Sequence, residues 1–488
     1  MNINNKITSW IQVVSATVYD SPIVASWINL AIRVLTSLIT IPFVLSYLSV
    51  EEINVWFLFT TVVTISQSVV FGFNTTFTRY LSYSYSGLKI RDFRKIHAKF
   101  EKSQNSNVDF KEFSSLFIVL KRVFLVVGLI YFLLLISAGT YAVNKPIEAM
   151  SKSIDGWIAW SIIVVTTTFI LIHNYYQIYI EGINQVIKIQ TLAAKLAIMN
   201  FVVILIVLLL NPTLINIIAA YQSLGLLNLL FMMRLAKKVN NSLLTRLPKM
   251  SFQKKIFKVV FETAWKSGVT TVIATTIKHI SGVLVSNLMS PTQSAPFLFT
   301  KRIFEIIDQF TMAVFKAMIP RMALLRGQGD FKVFIPLVRT LFYLAYGTFI
   351  ISYLSFIIFG NKLLPLIKSN IMLGSIELII AFSFAHFISR WGGMIGLITN
   401  QSNNILEHIA VIFYSSSFFI FIYLFYSELQ EMVFPLATIT GVTFASIMTF
   451  RRAYKTFNTT FWNFERRVMF PVLILLIIIN ITYYLNMV

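Results

Sequence analysis

Lys301, Arg302, Glu305 and Asp308 fall within one short run, TKRIFEIIDQF (300–310), whose flanks are almost free of acid. Positions 301, 305, 308, 312 and 316 recur at helical spacing and so share one face. Lys301 lies four residues before Glu305 and Arg302 three, so either cation can pair with that carboxylate. Two roles fit such a set. It could be a self-neutralised stripe that only holds its helix to a neighbour. Alternatively the charges serve a ligand: an arginine fork matches phosphate, and a carboxylate can bind sugar hydroxyls or accept a coupling H⁺ or Na⁺.

The elements that carry these charges are membrane helices. The chain has 488 residues, 57% of them hydrophobic and only 12% charged. A soluble chain carries about 25% charged residues. Apolar runs recur from end to end, each near the ~20 residues needed to cross a bilayer core as a helix. Aromatic residues, 15% of the total, gather at their ends, as interfacial rings do. The expected fold class is therefore all-α, a polytopic membrane protein. With no cysteine, disulfides and thiolate metal sites are excluded. MNINNKITSWIQ lacks the apolar core and cleavage site of a signal peptide, so the first membrane helix is expected to act as the insertion signal.

Spans are expected at 23–48, 53–77, 120–143, 157–180, 191–210 and 214–236, and again at 263–289, 293–319, 336–360, 374–398, 409–427 and 433–450. A thirteenth apolar run covers Val468 to Leu485, giving 12–13 transmembrane helices. The expected organisation is an N-terminal six-helix lobe (1–240), a basic cytoplasmic connector (241–262), a C-terminal six-helix lobe (263–450), and a basic loop with an extra C-terminal helix (451–488). Six spans per half would make the halves parallel repeats about an axis along the membrane normal. TRYLSYSYSGLKIRDFRKIHAKF, RLAKKVNNSLLTRLPKMSFQKKIFK and RRAYKTFNTTFWNFERR are strongly basic, whereas the opposite loops hold four lysines and no arginine. That asymmetry places the N-terminus in the cytoplasm. It also accounts for most of the net charge of +22 without nucleic acid as a partner.

Charges left inside the membrane carry the functional signal, since each costs about 2.5–3.5 kcal/mol at a helix centre. Besides the four above, these are Arg33, Lys266, Lys278, Lys316, Glu377 and Arg390, with His173, His279 and His386. Lys266 and Lys316 are near span ends and are expected to snorkel. The histidines read as hydrogen-bonded interior residues, with no spacing suited to a metal. Gly392, Gly393 and Gly396, beside Arg390, suit close helix packing. Once Glu305 and Asp308 are paired with Lys301 and Arg302, Arg33, Lys278 and Arg390 have only Glu377 as a deep partner. The interior is net cationic, which suits an anionic substrate. Arg33, Lys278, Lys301, Arg302 and Arg390 are the expected substrate contacts. Glu305, Asp308 and Glu377 are the expected ion-coupling or charge-tuning groups. No catalytic residue, metal or cofactor is expected, and no G-x-x-x-x-G-K-[ST] loop for ATP is present.

SWINLAIRVLTSLITIPFVLSYLSVEEINVWFLFTTVV resembles the opening of the polysaccharide (O-antigen repeat-unit) flippases, Wzx type, of the multidrug/oligosaccharidyl-lipid/polysaccharide exporter superfamily. Ser49 and Asn54 stand where that family usually has glycines. VVFGFNTTFTRYLS, with Gly72 and Arg79, and FKAMIPRMALLRGQGDF are similar to its second and eighth helix ends. The resemblance implies two lobes about a central cationic cavity, with the charged eighth helix facing it. It implies an undecaprenyl-pyrophosphate-linked oligosaccharide, flipped from the cytoplasmic to the periplasmic leaflet of a bacterial inner membrane. The implied partners are that substrate, membrane lipids, and transient contact with the polysaccharide polymerase and chain-length machinery. A multidrug exporter of the same superfamily is the alternative, and would favour an acid-rich cavity. A glycan polymerase would want a large external loop, and a structural scaffold would not need deep arginines.

Overall fold

A computed structural model describes residues 22–85, 109–248, 250–318, 322, 331–366, 371–399, 407–456 and 459–487. Residues 86–108 of the first basic loop and most of 319–330, the end of the motif FKAMIPRMALLRGQGDF, lie outside the described residues. So do the side chains of Lys266 and Lys316.

Among the described residues there are thirteen long helices and no strand. They are α1 (Pro22–Tyr47), α2 (Val50–Tyr85), α3 (Phe110–Glu148), α4 (Ser153–Gly182), α5 (Val186–Leu210), α6 (Leu214–Arg246) and α7 (Lys254–Leu288). Then come α8 (Pro291–Ala317), α9 (Phe331–Leu366), α10 (Ile376–Thr399), α11 (Glu407–Leu429), α12 (Val433–Thr456) and α13 (Met469–Met487). Among the described residues eight runs are long and apolar enough to cross a membrane, one of which, Ala410–Ile447, takes in most of α11 and part of α12, and another of which is Met469–Asn486. The chain is an all-α polytopic membrane protein. Exposed Ile, Leu, Val and Phe side chains crowd the outer faces of α3, α11 and α13, as a lipid-facing surface requires.

Several helices outrun their apolar runs. α2 continues to Tyr85 and α7 begins at Lys254, so much of the basic connector is helical. Hydropathy marks only the stretch that hydrocarbon must surround, and nothing stops a helix from continuing into the interface. Sharp features are local. Ser49 and Glu52 form a reciprocal capping box at the start of α2: the Ser49 amide donates to Glu52 at 2.9 Å and the Glu52 amide to Ser49 Oγ at 3.3 Å. α6 is broken at Val239–Ser242, where Asn240, Asn241 and Ser242 take positive φ. Asparagine tolerates that region better than most residues, and Asn240 is anchored by donating to Tyr85 OH at 2.9 Å.

The chain groups into two compact units. Unit 1 comprises the described residues of Met1–Val44 and Phe59–Thr275, and unit 2 those of Leu45–Leu58 and Thr276–Val488. Unit 1 is knit by α3–α4 contacts such as Tyr131 OH to Thr167 Oγ1 at 3.1 Å. In unit 2, α8, α9, α10 and α12 share an aromatic core: Phe297 packs on Phe382 and Phe434, and Phe304 on Tyr353. Asn54, in the unit 2 part of α2, is buried and accepts hydrogen bonds from Ser286 at 3.1 Å and Ser294 at 2.8 Å. α13 is pinned by Asn480, which accepts from Tyr353 at 2.6 Å and donates to Ser383 at 3.0 Å.

Candidate functional site

The charges of α8 are the hub of a cluster inside unit 2. Ser290 precedes Pro291, and proline at the first helical position starts α8 with no donor wasted. From there the 301, 305, 308 spacing turns one face toward α7 and α10. α7 supplies Lys278, His279 and Ser281; α10 supplies His386 and Arg390, four residues and so one turn apart.

Each carboxylate gathers its own cations. Glu305 is met by His279 Nδ1 at 3.2 Å, Arg302 at 3.3 Å and Lys301 Nζ at 3.9 Å. The Lys301 ammonium also donates to Ser281 Oγ at 2.9 Å. Asp308 is met by His386 Nδ1 at 2.7 Å, by Lys278 Nζ at 3.9 Å and by the Arg390 guanidinium. Arg390 also donates to Thr311 and lies over the Phe349 ring at 4.5 Å, while its buried Nε has no partner. The Phe304 ring stacks on His386 at 5.1 Å and holds the imidazole in line with Asp308.

Burial divides the cluster: both acids, Arg390 and Lys301 lie inside, and only two cations reach the rim. The Glu305 and Asp308 side chains are 10% and 15% exposed, and Arg390 has no exposed side-chain surface. The accessible members are Lys278 at 51% and Arg302 at 36%. Four fixed cations and two carboxylates leave two positive charges when both imidazoles are neutral. Buried ions persist only when paired. Here the pairing consumes the acids and leaves cations at the rim. Such an arrangement can hold an anion through the rim.

Lys278, Lys301, Arg302, Glu305, Asp308 and Arg390 are thus brought together, with Lys278 and Arg390 on Asp308 where the sequence suggests only Glu377 as a deep partner. Glu377 corrects the expectation of a deep partner. It is exposed in the first turn of α10, where an acid complements the helix dipole. Arg33 is exposed on α1 in unit 1. His279 and His386 belong to the site but are not among the expected contacts. Lone histidines in apolar runs give no spacing signal, and the partner of His386 lies 78 residues away. His173 keeps to the bland role, with Nδ1 2.9 Å from the Phe169 carbonyl. Of the three glycines near Arg390, Gly392 makes the close approach: an added Cβ would stand 2.9 Å from Val442 of α12. Among the described residues no group of three or more His, Asp or Glu could hold a metal ion.

No protein-family model matches the sequence, nor does any curated protein. Solved structures share the fold. One described as an inward-facing conformation of a multidrug resistance MATE family transporter of the MOP superfamily aligns with a TM-score of 0.65 at 13% identity, covering 89% of this chain and 98% of that chain. A crystal structure of MATE in the bent conformation gives 0.58 at 13% identity, over 89% and 94%. A MOP superfamily transporter from Pyrococcus furiosus, described by a reversed polarity of its binding pocket that suggests a different function, gives 0.58 at 11% identity, over 91% and 98%.

Proposed function

We propose that this chain is a membrane transporter that flips an undecaprenyl-pyrophosphate-linked oligosaccharide between leaflets by alternating access, for surface polysaccharide assembly. The observation that carries this reading is the rim of the unit 2 cluster: its two accessible members, Lys278 and Arg302, are both cations, while both acids are largely buried and paired. A pyrophosphate would take parallel hydrogen bonds from the Arg302 fork and a point charge from Lys278. Glu305 and Asp308 then serve as positioning groups, fixing the cations, which outnumber them and keep the site net positive. Arg33, in unit 1, is a separate proposed phosphate contact. The fold shared with MATE structures supports transport as the activity class. With the cell interior negative, outward movement of two negative charges is favoured by about 4.6 kcal/mol per 100 mV.

A second reading is a cation-coupled multidrug exporter, favoured by the descriptions of the solved neighbours. It would use Glu305 and Asp308 with their imidazoles as the ion-binding groups. Reconstituted vesicles separate the two. The expected result is protein-dependent movement of a pyrophosphate-linked oligosaccharide, inhibited by inorganic pyrophosphate and indifferent to organic cations. Export of organic cations with no movement of the anionic lipid would replace the first reading with the second.

A further inference from the structure

Between α12 and α13 the chain forms a short helix, Phe461–Glu465, capped by Thr460, which accepts from the Asn463 amide at 3.3 Å. Its last residue, Glu465, has no exposed surface. Oε1 accepts from Trp391 Nε1 of α10 at 2.9 Å and from the Tyr454 hydroxyl of α12. Oε2 is buried without a hydrogen-bond partner, and the nearby Met469 amide, at the start of α13, is the remaining backbone donor at the carboxyl.

No neighbour supplies a compensating ion pair among the described residues. From α9, the Tyr346 hydroxyl lies within electrostatic reach of Glu465, and Arg339 sits over the Phe464 ring at 5.7 Å. From α10 comes Trp391, next in sequence to Arg390, whose charge is taken by Asp308. From α12 comes Tyr454, and on its own segment Arg466 and Arg467 are exposed. A buried carboxylate with an empty lone-pair side is costly, and taking up a proton removes the charge.

We propose that Glu465 is a proton-binding site, with the proton carried on Oε2, whose occupancy sets how firmly α13 is tied to α10 and α12. The site takes its proton from water and returns it to water, with Oε1 kept by Tyr454 and Trp391 in both states. Burial pushes the Glu465 carboxyl up, against the Tyr454, Trp391 and Met469 donors that pull it down. The Tyr454 hydroxyl is itself raised by burial and by Glu465, so it stays a donor. The linkage has a definite sign. A carboxyl raised in the folded state contributes stability that is fully present below the ordinary glutamate value, about 4.3, and lost as pH rises through the folded value. The inference does not depend on what the protein transports.

Infrared difference spectra of the full chain in lipid nanodiscs, taken across a pH titration, read the proton directly. The carbonyl stretch of a protonated acid should persist well above the ordinary glutamate range and be missing from Glu465→Gln. The unfolding midpoint of the parent should fall as pH rises over that window, and Glu465→Gln should stay flat at the low-pH value. Trp391→Phe removes a donor that favours the charged form and should move the titration upward by about one pH unit. It also serves if Glu465→Gln does not fold. A band retained in Glu465→Gln, titration at the ordinary glutamate value, or a downward shift in Trp391→Phe each overturns the proposal.

Discussion

Arg390 reaches Asp308 from a side chain with no exposed surface, and the same carboxylate is held from the next turn of α10 by His386 at 2.7 Å. One helix thus presents two donors to one acid, and the acid is the only described carboxylate that Arg390 meets. Removing one partner of a buried pair strands the other charge. Asp308→Asn should lower stability by about 3–5 kcal/mol, and a double change with Arg390→Met should recover most of it. Unfolding midpoints in detergent check this. An unchanged midpoint in Asp308→Asn would mean that the pair contributes nothing.

The rim cations should behave in the opposite way. Lys278 and Arg302 are half or a third exposed, and exposed pairs are worth about 0–1 kcal/mol. Lys278→Gln with Arg302→Gln should leave the unfolding midpoint nearly unmoved. Binding of a pyrophosphate-bearing lipid should weaken more than about tenfold, since each charge-assisted bond is worth about 1.5–3 kcal/mol. Undiminished affinity in that variant would remove the rim from the substrate's path.

Asn54 serves two buried hydroxyls with one oxygen, from Ser286 and Ser294. Asn54→Ala should cost about 2 kcal/mol, the scale of leaving buried donors unmade. Ser294 has a fallback acceptor in the Pro291 carbonyl at 3.4 Å, so most of the loss should trace to Ser286. Comparing Asn54→Ala in the parent and in a Ser286→Ala background tests this: equal losses would contradict it.

The chain has no native cysteine, which makes single-cysteine labelling clean. Lys152→Cys, Lys362→Cys and Asn486→Cys should react with an impermeant reagent added outside, and Lys254→Cys should not. Reaction at 254 from outside would reverse the orientation inferred from the basic loops. Protection at 486 alone would leave the orientation standing and take α13 out of the bilayer.

Much of this molecule is readable from residue order. Each expected apolar run falls on one of the thirteen long helices among the described residues, because a segment that crosses a bilayer core needs about 20 apolar residues. The α8 stripe was legible because helical spacing alone puts 301, 305 and 308 on one face. Partners from other helices were not. His279 and His386 each sit alone in apolar surroundings, and only tertiary packing brings them to Glu305 and Asp308. Glu377 misled because an acid near an apolar run looks deep until the helix start is known. The break at Val239–Ser242 gave no hydropathy signal, since it lies in a polar stretch where any backbone path is solvated. Glu465, read only as part of a basic loop, became a buried group through Trp391 and Tyr454, on two other helices.

Unit 2 takes in Leu45–Leu58 as well as the described residues from Thr276 onward, and this bears on biogenesis. Asn54 leaves the ribosome 232 residues before Ser286 and 240 before Ser294. At ordinary synthesis rates the delay is about 10–50 s. Throughout that interval a carboxamide destined for the interior has no permanent donors, so water, lipid headgroups or the insertion machinery must hold it. The second unit therefore cannot be completed in the order in which it is made. A nascent chain released at the connector would leave its earliest segment waiting for a mate that never arrives.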